Sequence, residues 1–224
     1  PPLAGIKANC AMMAVHEKGR YTLNCYARDS GGHKGLSANS NTPVARMSAF
    51  ITEVNTKNIF IKRLYPEVKG MFTHLCPYTP FVMTILFSNL WCFGSLLKTV
   101  MPKLNAQAGS MVGTTCSFNE ISTNKEEKYC HSKAFLRPVK EEDLEKDLEE
   151  IKKIAKKYDI ELVPAENNEC FKATNVNNKS VQYTKECINE IFPDVIPAPY
   201  ILPAGTDARH LCGISESVIR FAPI

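Results

Sequence analysis

The 224-residue sequence is 44 % hydrophobic and 22 % charged, with a net charge of +4 at neutral pH. These values exclude a disordered chain, and the length allows one large domain or two small ones with a real core. The lysines are interleaved with acids and form no basic block, so nothing points to nucleic acid. Nine cysteines (Cys10, Cys25, Cys76, Cys92, Cys116, Cys130, Cys170, Cys187 and Cys212) are scattered, odd in number and never spaced C-x-x-C. That pattern argues against a zinc ribbon and against a secreted disulfide scaffold, and leads us to expect reduced thiols in a cytoplasmic protein. Pro1-Pro2-Leu3 has neither an initiating methionine nor a charged leader, so the reading frame is expected to extend upstream.

In chain order, Ala11–Val15 is a short apolar run ending at the turn Glu17-Lys18-Gly19. Residues 20–28 alternate (Tyr21, Leu23, Cys25 against Thr22, Asn24, Tyr26) and predict a strand. Asp29-Ser30-Gly31-Gly32-His33 breaks it, and a Gly/Ser/Asn loop runs to Asn41. Thr42-Pro43 then opens a helix whose inner face carries Val44, Met47, Phe50 and Ile51. Residues 66–104 are strongly apolar without a strand period, and 79–97 contain no charge. Ser88, Asn89, Gly94, Ser95 and Pro80 make this stretch one or two buried or surface-capping helices rather than a membrane span.

Residues 109–121 predict a strand and 128–136 its hairpin partner, joined by a polar turn. Residues 141–158 give the clearest helix: Leu144, Leu148, Ile151, Ile154, Ala155 and Tyr158 share a face, with acids first and lysines last. A strand at 159–163 follows, then a second amphipathic helix at 180–192. The order strand, helix, helical insertion, strand, strand, helix, strand over residues 20–163 is a ferredoxin-like β-α-β-β-α-β pattern. The chain is therefore expected to be mixed α/β with an α+β unit inside it.

The segment that carries the functional reading is Ala198-Pro-Tyr-Ile-Leu-Pro-Ala-Gly-Thr-Asp-Ala-Arg-His210. An apolar run stops at Pro203, a small Ala204-Gly205 turn follows, and Thr206-Asp207 caps a new helical turn. Such a turn presents backbone N–H groups that can seat a carboxylate or an oxyanion. An ordinary strand–helix connection explains the same pattern.

Pro203-Ala-Gly-Thr-Asp-Ala-Arg209 together with Val218-Ile-Arg-Phe-Ala-Pro-Ile224 resembles the Gly-Gly-Thr-Asp-Ala-Arg…Phe-Gly-Pro segment of the di-zinc exopeptidases, the M20 superfamily of glutamate carboxypeptidase, aminoacylase and carboxypeptidase S. The resemblance covers nearly the whole chain as the C-terminal two-thirds of such an enzyme. It implies a ferredoxin-like lid, also the dimerisation domain, over residues 19–165, with a helical insertion at about 66–104. Residues 1–18 and 166–224 would be pieces of the catalytic α/β domain.

Gly31-Gly32-His33 resembles the lid Gly-Gly-His whose imidazole polarises the scissile carbonyl in the partner subunit's site. Asn124 and Arg137 fall where the superfamily binds the substrate carboxylate, a task suited to a planar guanidinium and a neutral amide. Lys125-Glu126-Glu127 departs from the apolar Val-Ile-Pro usual there, and Lys34-Gly35-Leu36-Ser37 departs from the usual lid loop. Gly205 and Thr206 match the substrate-binding turn, with Ala204 for its first glycine; Asp207 and Arg209 are read as a cap and a pairing partner.

The two zinc ions of the superfamily need a His-x-Asp, a Glu-Glu pair, further acids and a final His. None of His16, His33, His74, His131 and His210 is followed two residues later by Asp. Glu126-Glu127, Glu141-Glu142 and Glu149-Glu150 all fall in the lid. The resemblance thus implies lid-side and substrate-side contacts of a zinc-dependent hydrolase acting on a peptide or N-acyl amino acid, in a homodimer, with no zinc expected on this chain alone. The alternative is a non-enzymatic dimerisation or binding module.

Overall fold

The computed structural model describes residues 9–29, 31, 41–124, 126–166, 168–169 and 171–222. Two compact units are formed: Pro1–Lys18, Lys62–Gly113 and Phe171–Ile224 make one, and Gly19–Ile61 with Thr114–Cys170 make the other.

In the first unit, β1 (Asn9–Glu17) pairs in parallel with β6 (Val195–Leu202), from Asn9↔Val195 to Glu17↔Leu202, with a register shift between Ala14 and His16. Nearly every β1 residue is buried, as expected of a parallel strand covered on both faces. The strand β6 is longer than its apolar Tyr-Ile-Leu suggests, because Pro197 and Pro199 lie within it. Proline lacks the ladder N–H, so it is tolerated where that group has no strand to bond. Helix α7 (Lys179–Ile191), capped by the Asn178 side chain, lays Val181 and Ile188, two turns apart, on Ala11, Met13 and Val15.

Three apolar helices belong to the same unit: α2 (Pro66–Leu75), α3 (Phe81–Ser88) and α4 (Leu90–Leu104), with the short α5 (Ala106–Ser110) behind them. Pro66 starts α2 at its first turn, and Phe72 of α2 meets the Phe87 ring of α3 at 4.4 Å between centroids. Helices α3 and α4 are bent by 109° at Asn89. At Gly109 any side chain would strike the Pro102 backbone, since a Cβ there would lie 2.9 Å from Pro102 Cα.

The sequence pattern places this insertion in the lid and starts a strand at Gly109; in the structure residues 62–113 pack with the first unit, and Gly109–Ser110 are helical. Lys18 supplies the physical reason. Its ammonium is fully buried beyond the end of β1 and donates to the carbonyls of Ser110 and Gly113, both at 2.8 Å, capping the end of α5. A buried ammonium costs several kcal/mol unless bonded in this way, which fixes the segment to β1.

The second unit is a four-stranded antiparallel sheet in the order β3-β4-β2-β5, formed by β2 (Tyr21–Arg28), β3 (Thr115–Asn124), β4 (Tyr129–Arg137) and β5 (Glu161–Pro164). With α1 (Pro43–Thr56) and α6 (Glu141–Lys157) this is the expected β-α-β-β-α-β order. Alternate residues Leu23, Cys25 and Ala27 of β2 and Cys130, Ala134 and Leu136 of β4 form the buried face. Met47, Phe50 and Val54 of α1 and Leu144, Ile151, Ile154 and Ala155 of α6 cover it. Each large side chain buried here contributes about 1.5–3 kcal/mol.

Helix α1 starts where Thr42 accepts the Ala45 N–H at 3.2 Å ahead of Pro43. Its Glu53 clasps Lys57, Lys157 and Tyr158, each at 2.6 Å, tying α1 to the end of α6.

Candidate functional site

The Gly-Thr turn is built on the last residue of β1. After Leu202, Pro203 ends the strand and Ala204-Gly205 carries the chain over to Thr206. The Thr206 N–H donates to one oxygen of the Glu17 carboxylate and its hydroxyl to the other, both at 2.7 Å. Arg220 Nε completes the cluster at 3.0 Å, while Nη1 reaches the Val218 carbonyl at 3.1 Å and Nη2 the Cys212 sulfur at 3.6 Å. The Glu17 side chain is fully buried and that of Arg220 is 10 % exposed. Backbone bonds between Ala14 and Arg220, at 2.8 and 3.0 Å, hold the arginine beside β1.

The carboxylate that this turn holds in the structure is the chain's own Glu17. In a dry site, a carboxylate receiving a backbone N–H, a hydroxyl and a guanidinium has its charge well compensated. The Thr206 donors are therefore engaged inside the protein, and the cap of the following 3₁₀ turn, Asp207–Leu211, uses no side-chain bond from Thr206. Gly205 remains exposed at the outer edge of the turn. Glu17 and Arg220 escaped sequence reasoning because the first reads as a turn acid and the second has no local partner. The parallel pairing of β1 with β6 brings residues 17 and 206 together, and the Ala14–Arg220 backbone bonds add residue 220.

In the second unit Asn124 and Arg137 sit at opposite ends of one hairpin, Asn124 paired with Tyr129 and Arg137 with Thr115. Nine residues of strand separate the ends by roughly 30 Å, so one chain does not bring both to one carboxylate. The Asn124 side-chain oxygen Oδ1 accepts the N–H groups of Glu126 and Glu127, at 3.0 and 3.1 Å, and its Nδ2 donates toward the Glu127 carboxylate at 3.4 Å. That is an Asx turn closing the hairpin, with Lys128 at φ +54° completing it. Arg137 is half-buried, and its guanidinium makes no ion pair among the described residues. The loop His33 lies outside the described residues. The way into that loop is described: Asp29 accepts the Gly31 N–H at 3.1 Å, and Gly31 has φ +83°, a conformation that favours glycine.

The face of the second unit's sheet that carries Asn24 and Tyr26 also carries His131, stacked on Tyr26 at 4.7 Å between centroids and 3.3 Å from the Asn24 amide oxygen. Burial, followed by the neighbouring Lys133, lowers its pKa below the usual imidazole value, so it is neutral at neutral pH. The alternation of residues 20–28 marks this face as polar, but nothing in the sequence joins His131 to it.

His16 is buried, with Nε2 at 3.0 Å from the Phe171 carbonyl and Nδ1 at 3.6 Å from the Glu67 carboxylate. Among the described residues no group of three or more His, Cys, Asp or Glu side chains is arranged to hold a metal ion. The described residues therefore do not fit a zinc centre.

No family model matches the sequence. The chain is 25 % identical over 228 residues to an N-fatty-acyl-amino acid synthase/hydrolase of Danio rerio, covering 98 % of this chain and 43 % of that protein. It is 22 % identical over 229 residues to a carboxypeptidase S-like protein of Dictyostelium discoideum, covering all of this chain and 43 % of that one. Among solved structures, an M20 family metallo-carboxypeptidase of Sulfolobus solfataricus superposes with a TM-score of 0.56 at 14 % identity, over 94 % of this chain and 59 % of that one. Aminopeptidase PepT of Bacillus cereus gives 0.52 at 13 % identity, over 96 % and 46 %. The chain thus spans less than half the length of these curated relatives. Along its whole length the chain is similar in sequence to N-acyl amino acid hydrolase and carboxypeptidase S-like proteins, and it shares its fold with part of an M20 family metallo-carboxypeptidase.

Proposed function

We propose that the chain is the lid-bearing, substrate-side part of a metal-dependent amidohydrolase that cleaves an amide next to a free carboxylate, in a peptide or an N-acyl amino acid. The observation that carries the reading is Arg137: a half-buried arginine at the end of a paired strand, with no ion pair among the described residues, in a hairpin whose other end is closed on itself. A guanidinium so placed is suited to a two-pronged grip on a carboxylate. The relatives named for carboxypeptidase and N-acyl amino acid hydrolase activities share that substrate feature. Metal ions, two zinc ions in the resemblance, would be held by residues other than those described and would supply the activated water.

The hairpin length gives the assembly its logic. If Asn124 and Arg137 serve the same carboxylate, they come from different copies of the chain, and His33 of one copy would act in the site of the other. This supports a homodimer through the lid. Within the first unit, Gly205 would offer its exposed edge to substrate, next to a Thr206 whose donors are held by Glu17.

The test is hydrolysis of N-acyl amino acids by the full protein carrying Arg137→Lys. Losing the paired grip of a guanidinium on a carboxylate costs about 1.5–3 kcal/mol, so KM should rise by roughly tenfold or more while the variant stays folded. Equal activity on the free acid and its amide in the parent protein would overturn the reading and favour a binding module.

A further inference from the structure

The apolar insertion is unlike a buried helical hairpin, because its outer face is bare. Phe81, Val82 and Ile85 of α3 are exposed, Phe81 by 79 %, and Trp91 and Leu96 of α4 are exposed, Trp91 by 87 %. Tyr78 in the preceding turn is exposed as well. The pattern is ordered: positions 81, 82, 85 and 88 of α3 and 91, 92, 95, 96, 99 and 103 of α4 face outward, while Phe87, Leu97 and Met101 face in. The outer side of α3 is mainly apolar, and on α4 Trp91 and Leu96 stand outward among Ser95, Thr99 and Lys103, where a soluble surface helix would carry a wholly polar face.

Charge decides what fits this face. From Val68 to Asn119 the sequence contains no Asp or Glu, while Lys69, Lys98 and Lys103 are present. Trp91, Ser95 and Lys98 follow one stripe of α4, and Leu96 and Lys103 another, so each ammonium stands two turns beyond an exposed apolar side chain. Aromatic side chains that dip into acyl chains, with lysines reaching back to anionic headgroups, are the signature of a helix lying in a lipid interface. No single described helix is long and apolar enough to cross a membrane, and the 109° elbow sets the two short helices at a steep angle to one another.

We propose that the α3–α4 elbow docks on an anionic lipid surface, inserting Phe81, Val82 and Trp91 and pairing Lys98 and Lys103 with headgroups. This goes beyond the hydrolase reading and does not depend on it.

Trp91 is the single tryptophan of the sequence, so its emission reports on the patch directly. The experiment adds phosphatidylcholine vesicles, with or without phosphatidylserine and with brominated acyl chains, to the protein. Trp91 emission should shift to the blue and be quenched by the brominated chains, most strongly with phosphatidylserine present. The double variant Phe81→Ser/Val82→Ser should lower vesicle affinity by at least about tenfold with an unchanged circular dichroism spectrum, since both side chains are solvent-facing. Lys98→Gln and Lys103→Gln should each cost about fivefold on phosphatidylserine vesicles and nothing on phosphatidylcholine. Emission that is blue-shifted without vesicles and follows protein concentration would assign the face to a second copy of the chain. Emission that is blue-shifted at all concentrations would assign it to other parts of the same protein. Either result, or unquenched emission on vesicles, overturns the proposal.

Discussion

Replacing Glu17 by glutamine tests whether the Gly-Thr turn is held as the structure describes it. The carboxylate is fully buried and receives the Thr206 N–H and hydroxyl and Arg220 Nε within 3.0 Å. Glutamine keeps the shape but replaces one acceptor oxygen by a donor, so the amide must face either the Thr206 donors or the guanidinium with like polarity. It also strips Arg220 of its counter-charge in a dry site. Removing one partner of a buried, hydrogen-bonded ion pair costs about 3–5 kcal/mol. For a chain of this size that corresponds to a fall in Tm of roughly 6–20 °C.

Urea unfolding followed by circular dichroism measures the loss, and the double variant Glu17→Gln/Arg220→Met tests its cause. Taking away the stranded cation should return at least about 1 kcal/mol relative to Glu17→Gln alone. A loss below about 1 kcal/mol, the scale of a surface ion pair, would refute the reasoning. It would mean that water reaches the carboxylate and that Thr206 is free to bind substrate instead.

Other outcomes follow from the second unit. Hydrogen bonds from Lys157, then Lys57 and Tyr158, lower the Glu53 pKa from 4.5 to about 2. A carboxyl whose folded pKa is depressed stabilises the fold above its unfolded pKa and loses that contribution as pH falls through the folded one. The stability difference between the parent and Glu53→Gln should therefore be constant above about pH 4.5, shrink below it, and vanish near pH 2, as read by acid unfolding. Burial, with the neighbouring Cys116 thiol and a backbone contact as lesser influences, pushes the Cys25 thiol up to about 12, and burial raises Cys116 to about 12. At pH 8 both stay protonated and should resist alkylation until the protein unfolds, whereas the exposed Cys92 should label first in a timed mass-spectrometric assay.

The second unit was legible in the sequence because its signals are local. The alternation in residues 20–28, the Thr42-Pro43 start and the heptad-like spacing of Leu144, Ile151 and Ile154 each specify an element from its own residues, and the element order then fixes the topology. The stretch from Pro66 to Leu104 was legible as helical but not in its division into three helices or its allegiance, since an apolar run does not say which core it joins, and the short α5 was hidden under a strand reading from Gly109. Asn124 was legible as a polar residue near a turn. Its use as the turn's own clasp, and its distance from Arg137, depend on the hairpin register.

The sequence by itself determined most of the elements, the mixed α/β class, the βαββαβ order and the resemblance to the M20 exopeptidases. The tertiary structure alone decided that Glu17, Thr206 and Arg220 form one buried cluster, that Lys18 caps Ser110 and Gly113, and that a helical elbow without acidic residues shows large apolar side chains outward. The physical reason is range. Propensity, capping and periodicity act over a few residues, whereas the desolvation that makes a lone carboxylate or ammonium seek a partner acts on whatever the fold brings near.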